Sequence, residues 1–247
     1  MKTIAIIQAR MGSTRLSGKV LMTLAGRTVL DHTIERVRTC ALLDGVVVAT
    51  TTAEADDAIA AEALRCGAYV FRGSENDVLA RYYLAAEEVS ADIIVRVTSD
   101  CPLFDGQLLT RMLERFKSRT EARKIDYLSN TLNRTFPRGL DAEIFTFSAL
   151  KCAYENATTP AEHEHVTPYL YRHPEKFQLQ GFCQDKDFSA YRWTLDTRED
   201  FELINNIYSY LYRRGSPFNT DEVLTFLAAH PDIAALNIHI EQKRLDN

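Results

Sequence analysis

The chain has 247 residues, of which 46% are hydrophobic, and its formal net charge at pH 7 is −5. This length and apolar content suffice for one large α/β domain with a buried core. The negative charge argues against a general nucleic-acid-binding or anionic-membrane surface, so any basic binding site must be local.

Neither a transmembrane span nor a signal peptide is predicted. No run of about 18 apolar residues occurs, and the apolar N-terminal stretch is soon interrupted by Gln8 and Arg10. We therefore expect a cytoplasmic protein. The five cysteines stand singly, without C-x-x-C spacing, and of the histidines only His163 and His165 lie close together. This pattern favours free thiols over a zinc or redox site.

Strands and helices alternate with short connections over the first half of the chain. The predicted elements are strands at Lys2–Gln8, Val46–Thr51, Ala68–Phe71 and Ile93–Thr98, and helices at Thr28–Arg38, Asp56–Arg65, Asp77–Val89 and Asp105–Phe116. Such alternation is typical of an α/β fold, with a mostly parallel sheet covered by helices on both faces.

The pattern becomes less regular after about residue 119. The predicted elements there are strands at Ile125–Ser129, Gly139–Phe145, Phe177–Phe182 and Trp193–Leu195, and helices at Phe147–Tyr154, Glu162–Arg172, Glu199–Tyr210 and Thr220–Ala229. No repeat or linker divides the chain. We predict one domain over residues 1–247, with a less regular arm at about 125–190 for dimerisation or for covering a substrate.

The loop Ala9–Gly18 follows the first strand and is predicted to bind an anion. Ligands of open α/β sheets bind beyond the carboxyl ends of the strands. Gly12 and Ser13 allow backbone N–H groups to approach an anion closely. Arg10, Arg15 and Lys19 add positive charge suited to phosphate oxygens. The alternative is a solvated basic loop.

Two aspartates are candidates for a metal site at the same edge. Asp100 follows the fourth strand, and Asp196 follows the short strand Trp193–Leu195. Mg²⁺ prefers one or two carboxylates together with phosphate oxygens and water. As alternatives, Asp100 caps the helix that begins near Asp105, and Asp196 or Thr197 caps the helix after it.

Residues 138–145 carry polar groups suited to a small polar ligand. Arg138 is able to pair with a carboxylate bidentately, and Asp141 or Glu143 to orient hydroxyls. The alternatives are an exposed loop arginine and a half-buried strand with alternating faces. His165 faces a ligand or a partner subunit, or belongs to a solvated helix start.

Six segments resemble one known family in the same order along the chain. They are "IIQARMGSTRLSGKVL", "SENDVLARYY", "VRVTSDCPL", "PRGLDAEIF", "EHVTPYL" and "RWTLDTREDFELI". The family is the cytidylyltransferases that activate sialic acid, KDO and related sugars, and the resemblance is strongest to its SpsF-like branch of spore-coat polysaccharide biosynthesis. One departure is Ser17, where the family usually has a proline that would stiffen the loop.

The resemblance implies a GT-A-like nucleotidyltransferase fold with a mixed seven-stranded sheet. It further implies a Mg²⁺-dependent reaction of CTP with a sugar to give CMP-sugar and pyrophosphate, in a homodimer. The nucleotide-binding residues implied are Ala9, Arg10, Met11, Gly12, Ser13, Arg15, Lys19, Arg72, Thr98 and Asp100. The metal ligands implied are Asp100 and Asp196, and the sugar-facing residues are Arg138, Asp141, Glu143 and His165. Arg15, Lys19 and Asp100 are implied to be catalytic.

Two other functions remain open at this point. A GT-A glycosyltransferase shares the fold type but typically uses a close Asp-x-Asp pair, and the only such pair here is Asp185-Lys186-Asp187 in a late, irregular stretch. A non-catalytic nucleotide-binding protein would bind CTP without turnover.

Overall fold

The structure is a computed structural model that describes residues 1–13, 15–118, 124–213 and 216–242. Its strands are β1 Thr3–Gln8, β2 Thr23–Leu24, β3 Arg27–Thr28, β4 Gly45–Thr51, β5 Tyr69–Gly73, β6 Ile93–Thr98, β7 Tyr127–Ser129, β8 Glu143–Thr146 and β9 Leu179–Gly181. Its α-helices are α1 Val29–Arg38, α2 Asp57–Arg65, α3 Val78–Glu88, α4 Gly106–Lys117, α5 Phe147–Asn156, α6 Pro160–His165, α7 Pro168–Arg172, α8 Arg198–Leu211, α9 Thr220–Ala229 and α10 Pro231–Ala234. Short 3-10 turns span Lys19–Leu21 and Glu54–Asp56.

Seven of the strands form one sheet in the order β5-β4-β1-β6-β8-β7-β9. The half from β5 to β6 is parallel, β8 is antiparallel to both β6 and β7, and β9 is parallel to β7. Strands β2 and β3 form a separate two-stranded hairpin. The predicted mixed, mostly parallel sheet is therefore confirmed.

Helices cover both faces of this sheet because its central strands are apolar on both sides. On β1, Ala5 and Ile7 pack into the core beneath α1, α4 and α8, whereas Ile4 and Ile6 pack into the core beneath α3, α5 and α7. Successive side chains of a strand point to opposite faces, so a continuous apolar run fills two cores at once.

Local capping accounts for the accurate helix starts in the first half. The side chains of Thr28, Asp77 and Asp105 accept hydrogen bonds from backbone N–H groups in the first turns of α1, α3 and α4. Each satisfies donors that a helix start leaves without partners. Gly67, predicted to stop α2, has φ +70, a left-handed conformation that favours glycine.

One predicted helix is two helices in the structure. The segment Glu162–Arg172 breaks at Val166, which has φ 73, and α7 restarts with Pro168 at its first turn. A proline cannot donate the backbone hydrogen bond that would continue the helix, and it restricts the residue before it. The prediction of one continuous helix was wrong for this reason.

Two predicted strands are shorter or absent. The strand expected at Gly139–Phe145 begins only at Glu143, because Gly139 has φ +99 and the residues beside it form a turn. The segment Trp193–Leu195 is not a strand, although Arg192 forms an isolated bridge with Arg138. Trp193 is fully buried, so its apolar character reflects core packing rather than sheet pairing.

No helix within the described ranges is both long and apolar enough to cross a lipid bilayer.

Candidate functional site

The carboxyl ends of β1 and β6 lie side by side at the middle of the sheet, where Gln8 pairs with Thr98. The chain leaves β1 towards β4 and β5 on one side and returns to β6 on the other. Such a switch in strand order opens a crevice between the two following loops, and ligands of open α/β sheets bind there. Residues 9–18 and 99–105 form these two loops.

The loop after β1 is ordered by bonds within the protein. The Met11 N–H donates to Asp56 Oδ1 at 2.7 Å, and the Ser13 N–H donates to the Met11 carbonyl at 2.7 Å. The Ser13 hydroxyl accepts from the Leu16 N–H at 3.4 Å. The N–H groups of Met11 and Ser13 therefore have acceptors inside the protein, and of these Ser13 belongs to the pair expected to approach an anion.

Lys19 ends this loop and reaches into the crevice. Gly18, with φ 66, precedes the 3-10 turn that carries Lys19. The Lys19 Nζ lies 2.6 Å from Asp100 Oδ2 and 2.7 Å from Asp196 Oδ1, and the lysine side chain is only 11% exposed. One ammonium thus brings together the two aspartates that sequence pattern selected from positions far apart in the chain.

The other oxygen of Asp196 is fixed by two arginines. Arg15 Nη2 lies 2.9 Å from Asp196 Oδ2, and Arg192 Nη2 lies 2.7 Å from the same oxygen. Asp196 itself does not cap α8. Thr197 caps that helix, in a reciprocal capping box with Asp200.

Asp100 is likewise not a helix cap, because Asp105 caps α4. The loop that carries Asp100 is tied to the Asp196 loop through a backbone hydrogen bond, in which the Leu195 N–H donates to the Asp100 carbonyl at 2.8 Å. Both carboxylates therefore face the crevice rather than a helix terminus.

The charges of this centre are mutually stabilising. Burial raises the pKa of Asp100, but the adjacent Lys19 ammonium outweighs it and holds that pKa below its ordinary value. Burial lowers the pKa of Lys19, but Asp100 and Asp196 outweigh it and hold that pKa above its ordinary value. Lys19 and Asp100 are consequently both ionised at neutral pH.

The donor set fits a hard divalent cation. Asp100 and Asp196 each direct one carboxylate oxygen at the same positive charge, and carboxylate oxygens are the protein ligands that Mg²⁺ prefers. The two carboxylate oxygens converge on the Lys19 ammonium, so they already lie close enough together to share one positive charge.

A cleft opens beside the Lys19–Asp100–Asp196 centre. It comprises two cavities of about 720 Å³ and 980 Å³, the smaller lined by Arg15, Asp100 and Asp196. The residues that line both cavities are Arg96, Thr98, Arg138, Asp141, His165 and Gln242. The larger cavity is therefore continuous with the aspartate centre, and each is within the range of small-ligand pockets.

Arg138 places an unpaired positive charge at the wall of the larger cavity. Within the described part of the chain its guanidinium has no hydrogen-bond or ion-pair partner. Burial and the neighbouring Arg134 lower the pKa of Arg138. Such a group gains from an anionic ligand, since a carboxylate or phosphate would restore both hydrogen bonding and charge balance.

Asp141 and Glu143 line the larger cavity but are engaged with protein donors. Arg134 grips Asp141 bidentately, with N–O distances of 2.6 and 2.8 Å. Glu143 is 6% exposed. It accepts from Tyr127 at 2.5 Å, from Thr167 at 2.6 Å and from Arg96. Glu143 thus mainly orders the wall of the cavity.

The histidines do not form a shared site. His165 lines both cavities, whereas His163 Nδ1 lies 3.0 Å from Asp77 Oδ2.

Several predicted nucleotide-binding residues lie outside the two lined cavities. Arg10 is exposed and lies 3.8 Å from Glu75. Arg72 donates to the carbonyls of Thr51 and Ala53 and pairs with Asp57 at 2.6 Å. Ala9, Met11, Gly12 and Ser13 belong to the same loop as Arg15. The structure does not bring Arg72 to the Lys19–Asp100–Asp196 centre, and its base contact stays a prediction.

Four other residues at the site were not predicted from the sequence. Arg96 and Gln242 line both cavities, and Arg192 holds Asp196. Asp200 is fully buried against Arg192. Arg96 and Arg192 lie within the segments that carry the family resemblance, and Asp200 fits a capping box as its third residue, whereas Gln242 has no such pattern. The Asp185-Lys186-Asp187 pair lines neither cavity, and Asp187 accepts from the Ser189 N–H.

Comparisons with known proteins identify a family and a fold for this chain. Residues 4–229 match the family described as "Cytidylyltransferase". The chain is 36% identical to the spore coat polysaccharide biosynthesis protein SpsF of Bacillus subtilis, over 93% of this chain and 95% of that protein. Its fold matches a cytidylyltransferase structure from Leptospira borgpetersenii with TM-score 0.90 at 38% identity, covering 99% of each chain. It also matches a CMP:2-keto-3-deoxy-manno-octonic acid synthetase complexed with CTP, with TM-score 0.65 at 17% identity, covering 85% of this chain and 99% of that one.

Proposed function

Because this chain belongs to the cytidylyltransferase family, we propose that it transfers CMP from CTP to a sugar acid or a related sugar, with Mg²⁺ as cofactor and pyrophosphate as the second product. The observation that carries the proposal is the convergence of Asp100 and Asp196 on Lys19 beside a cavity with an unpaired arginine, Arg138. The CMP-sugar would serve polysaccharide or glycan biosynthesis.

The triphosphate is expected in the loop after β1. Arg10, Ser13, Arg15 and Lys19 lie on this loop or at its end, and its position at the switch in strand order suits a nucleotide. Arg15 and Lys19 pair with the aspartates in the structure. With those carboxylates holding a divalent cation, Arg15 and Lys19 would be available to bind phosphate oxygens.

The reaction is an in-line displacement at the α-phosphorus. A sugar hydroxyl oxygen forms the new P–O bond and gives up its proton to solvent water, and the bond between the α-phosphorus and the bridging oxygen breaks as pyrophosphate leaves. Negative charge grows on the leaving group, where Arg15 and Lys19 stabilise it. Positioned cations of this type supply most of the catalysis in phosphoryl-type transfers.

Asp100 and Asp196 would hold the Mg²⁺. When bound, the ion supplies Lewis-acid stabilisation of phosphate charge. Arg15 and Arg192 keep Asp196 in place from the outer side.

The sugar is expected in the larger cavity. Arg138 is the candidate partner for a carboxylate of the sugar, and Asp141, Glu143 and His165 line the same space. Because Asp141 and Glu143 already accept from protein donors, we assign them to shaping the cavity and Arg138 to direct binding.

The test is pyrophosphate release with each of the four ribonucleoside triphosphates against a panel of sugar acids and neutral sugars, in the presence of Mg²⁺. We expect release only with CTP and with at least one sugar acid. Turnover of Arg138→Gln with a neutral sugar, but not with the acid, would identify the carboxylate contact. Binding of CTP without turnover on any sugar would overturn the proposal in favour of a non-catalytic role.

The homodimer, the cytoplasmic location and the single domain with an arm at about 125–190 remain predictions that accompany this function.

A further inference from the structure

The C-terminal segment returns to the cleft after the last helix. Following α10, Asn237 is 3% exposed, and Gln242 lies at the cleft mouth, where it lines both cavities. Neither residue belongs to a segment that carried the family resemblance or to the proposed catalytic set.

Asn237 fixes two groups at the base of α8. Its Nδ2 donates to the Arg192 carbonyl at 2.8 Å and to Asp200 Oδ1 at 2.8 Å. A buried amide that bonds two acceptors holds both in register; its removal takes the side-chain donor from the Arg192 carbonyl and leaves Asp200 Oδ1 with the Arg192 Nε as its donor.

Arg192 is the centre of this network, and its side chain is only 6% exposed. Its Nε donates to Asp200 Oδ1 at 3.0 Å, and its Nη2 donates to Asp196 Oδ2 at 2.7 Å. Its Nη1 donates to Gln242 Oε1. The planar guanidinium is therefore held on three sides, by α8, by the C-terminal segment and by the candidate metal ligand.

This arrangement sets the orientation of the Asp196 carboxylate. Arg192 and Arg15 bind Oδ2 of Asp196. Oδ1 of Asp196 is then directed at the Lys19 ammonium, which Asp100 also contacts. If Arg192 loses the groups that hold it, the carboxylate gains freedom to rotate, and Oδ1 no longer faces Asp100 in a fixed geometry. Changing such outer contacts of a metal ligand typically lowers metal affinity about 10- to 100-fold.

We propose that the C-terminal segment carrying Asn237 and Gln242 is part of the catalytic site, where both are positioning residues that act through Arg192 on Asp196. The inference rests on the proposed function for the role of Asp196 as a metal ligand. The segment therefore completes a site whose other parts come from β1, β6 and the loop before α8.

The experiment compares Mn²⁺ binding by the full chain, with and without CTP, for the wild type and for the variants Asn237→Ala, Gln242→Ala and Gln242→Glu. Free Mn²⁺ is followed by electron paramagnetic resonance. We expect a loss of affinity of about 10- to 100-fold for Asn237→Ala, and a smaller loss for Gln242→Ala. Gln242→Glu keeps an oxygen acceptor for Arg192, so it should bind Mn²⁺ with the affinity of the wild type.

Matched measurements separate positioning from folding. Ile238→Ala, at a side chain 78% exposed in the same segment, should bind Mn²⁺ as the wild type does. Gln242 is exposed, so Gln242→Ala should unfold at the wild-type temperature and remain informative even if Asn237→Ala destabilises the fold. In turnover assays kcat should fall more than the KM for the sugar rises.

The outcomes are distinct. Equal Mn²⁺ affinity of Gln242→Ala, Asn237→Ala and the wild type overturns the inference, as does a wild type that binds no Mn²⁺. Weaker Mn²⁺ binding by both variants supports the inference, even where the wild type releases no pyrophosphate from CTP. In that last case the proposed function fails, and the metal-positioning role stands.

Discussion

Replacing Lys19 with methionine tests the electrostatic centre of the site directly. Lys19→Met keeps a long, unbranched side chain but removes the ammonium that lies 2.6 Å from Asp100 and 2.7 Å from Asp196. Asp196 keeps its contacts with Arg15 and Arg192. The loss of the ammonium therefore mainly destabilises the Asp100 carboxylate, which has no other ion-pair partner among the described residues.

The side chains of Lys19, Asp100 and Asp196 are 11%, 21% and 10% exposed, so solvent screens the loss only slightly. Removing one member of a buried ion pair costs about 3–5 kcal/mol. Because Asp196 remains paired, we expect the low end, about 3 kcal/mol of the free energy of unfolding. Lys19→Met/Asp100→Asn should recover most of it, since the unpaired charge is then gone.

The contribution of the Lys19–Asp100 pair to the free energy of unfolding should depend on pH in a defined direction. The pKa of Asp100 lies below its usual 3.8, so its contribution is present above that value and is lost as pH falls through the folded pKa. The pKa of Lys19 lies above its usual 10.5, so its contribution is present below that value and is lost as pH rises through the folded pKa. The stability difference between wild type and Lys19→Met should be constant across neutral pH and shrink at both extremes.

Urea unfolding at several pH values, without divalent cations, measures this difference. Lys117→Met is the matched control, because Lys117 is exposed and its Nζ donates to the Leu42 carbonyl at 3.3 Å rather than to a carboxylate of the described residues. A Lys19→Met variant within about 0.5 kcal/mol of the wild type, the range of ordinary surface substitutions, would refute the reasoning. A difference that does not shrink in acid would refute the assignment of the penalty to Asp100.

Two further predictions concern the wall of the cleft. Arg138→Ala should raise the KM for the sugar about 10- to 100-fold, the equivalent of one or two charged hydrogen bonds, while the unfolding temperature stays unchanged; an unchanged KM in steady-state kinetics would remove Arg138 from the sugar site. Gly139→Ala should lower the free energy of unfolding by about 1–3 kcal/mol and should lower kcat. The reason is that Gly139 has φ +99, and an added Cβ would lie 2.5 Å from the Trp193 carbonyl carbon. Gly26→Ala, with φ +80 and open space around the new Cβ, is the matched control, and equal losses of stability in the two variants would show that crowding against Trp193 does not matter.

The parallel half of the fold could be predicted because its signals are local. Apolar strands, side-chain caps such as Thr28 and Asp105, and the stop at Gly67 are each set by residues near one another in sequence. The strand ends then placed Asp100 beside the loop that carries Lys19. That step required only the rule that carboxyl ends of parallel strands share an edge.

The second half resisted prediction because its structure depends on distant contacts. Trp193 reads as a strand residue but is held by tertiary packing, and Gly139 turns the chain where alternation suggested a strand. Arg192 and Gln242 meet across 50 positions of sequence. No local pattern reports such a pair, so the outer support of Asp196 is visible only in the folded structure.

The most direct test of the account is the initial rate of pyrophosphate release from CTP and a sugar acid, measured across a Mg²⁺ titration for the wild type and for Asp100→Asn. We predict that the wild type requires Mg²⁺ and that Asp100→Asn is slower by about 100- to 1000-fold, the usual cost of losing one charge-stabilising group. Wild-type rates in the variant, or turnover that is independent of Mg²⁺, would contradict the assignment of Lys19, Asp100 and Asp196 as the metal and triphosphate centre.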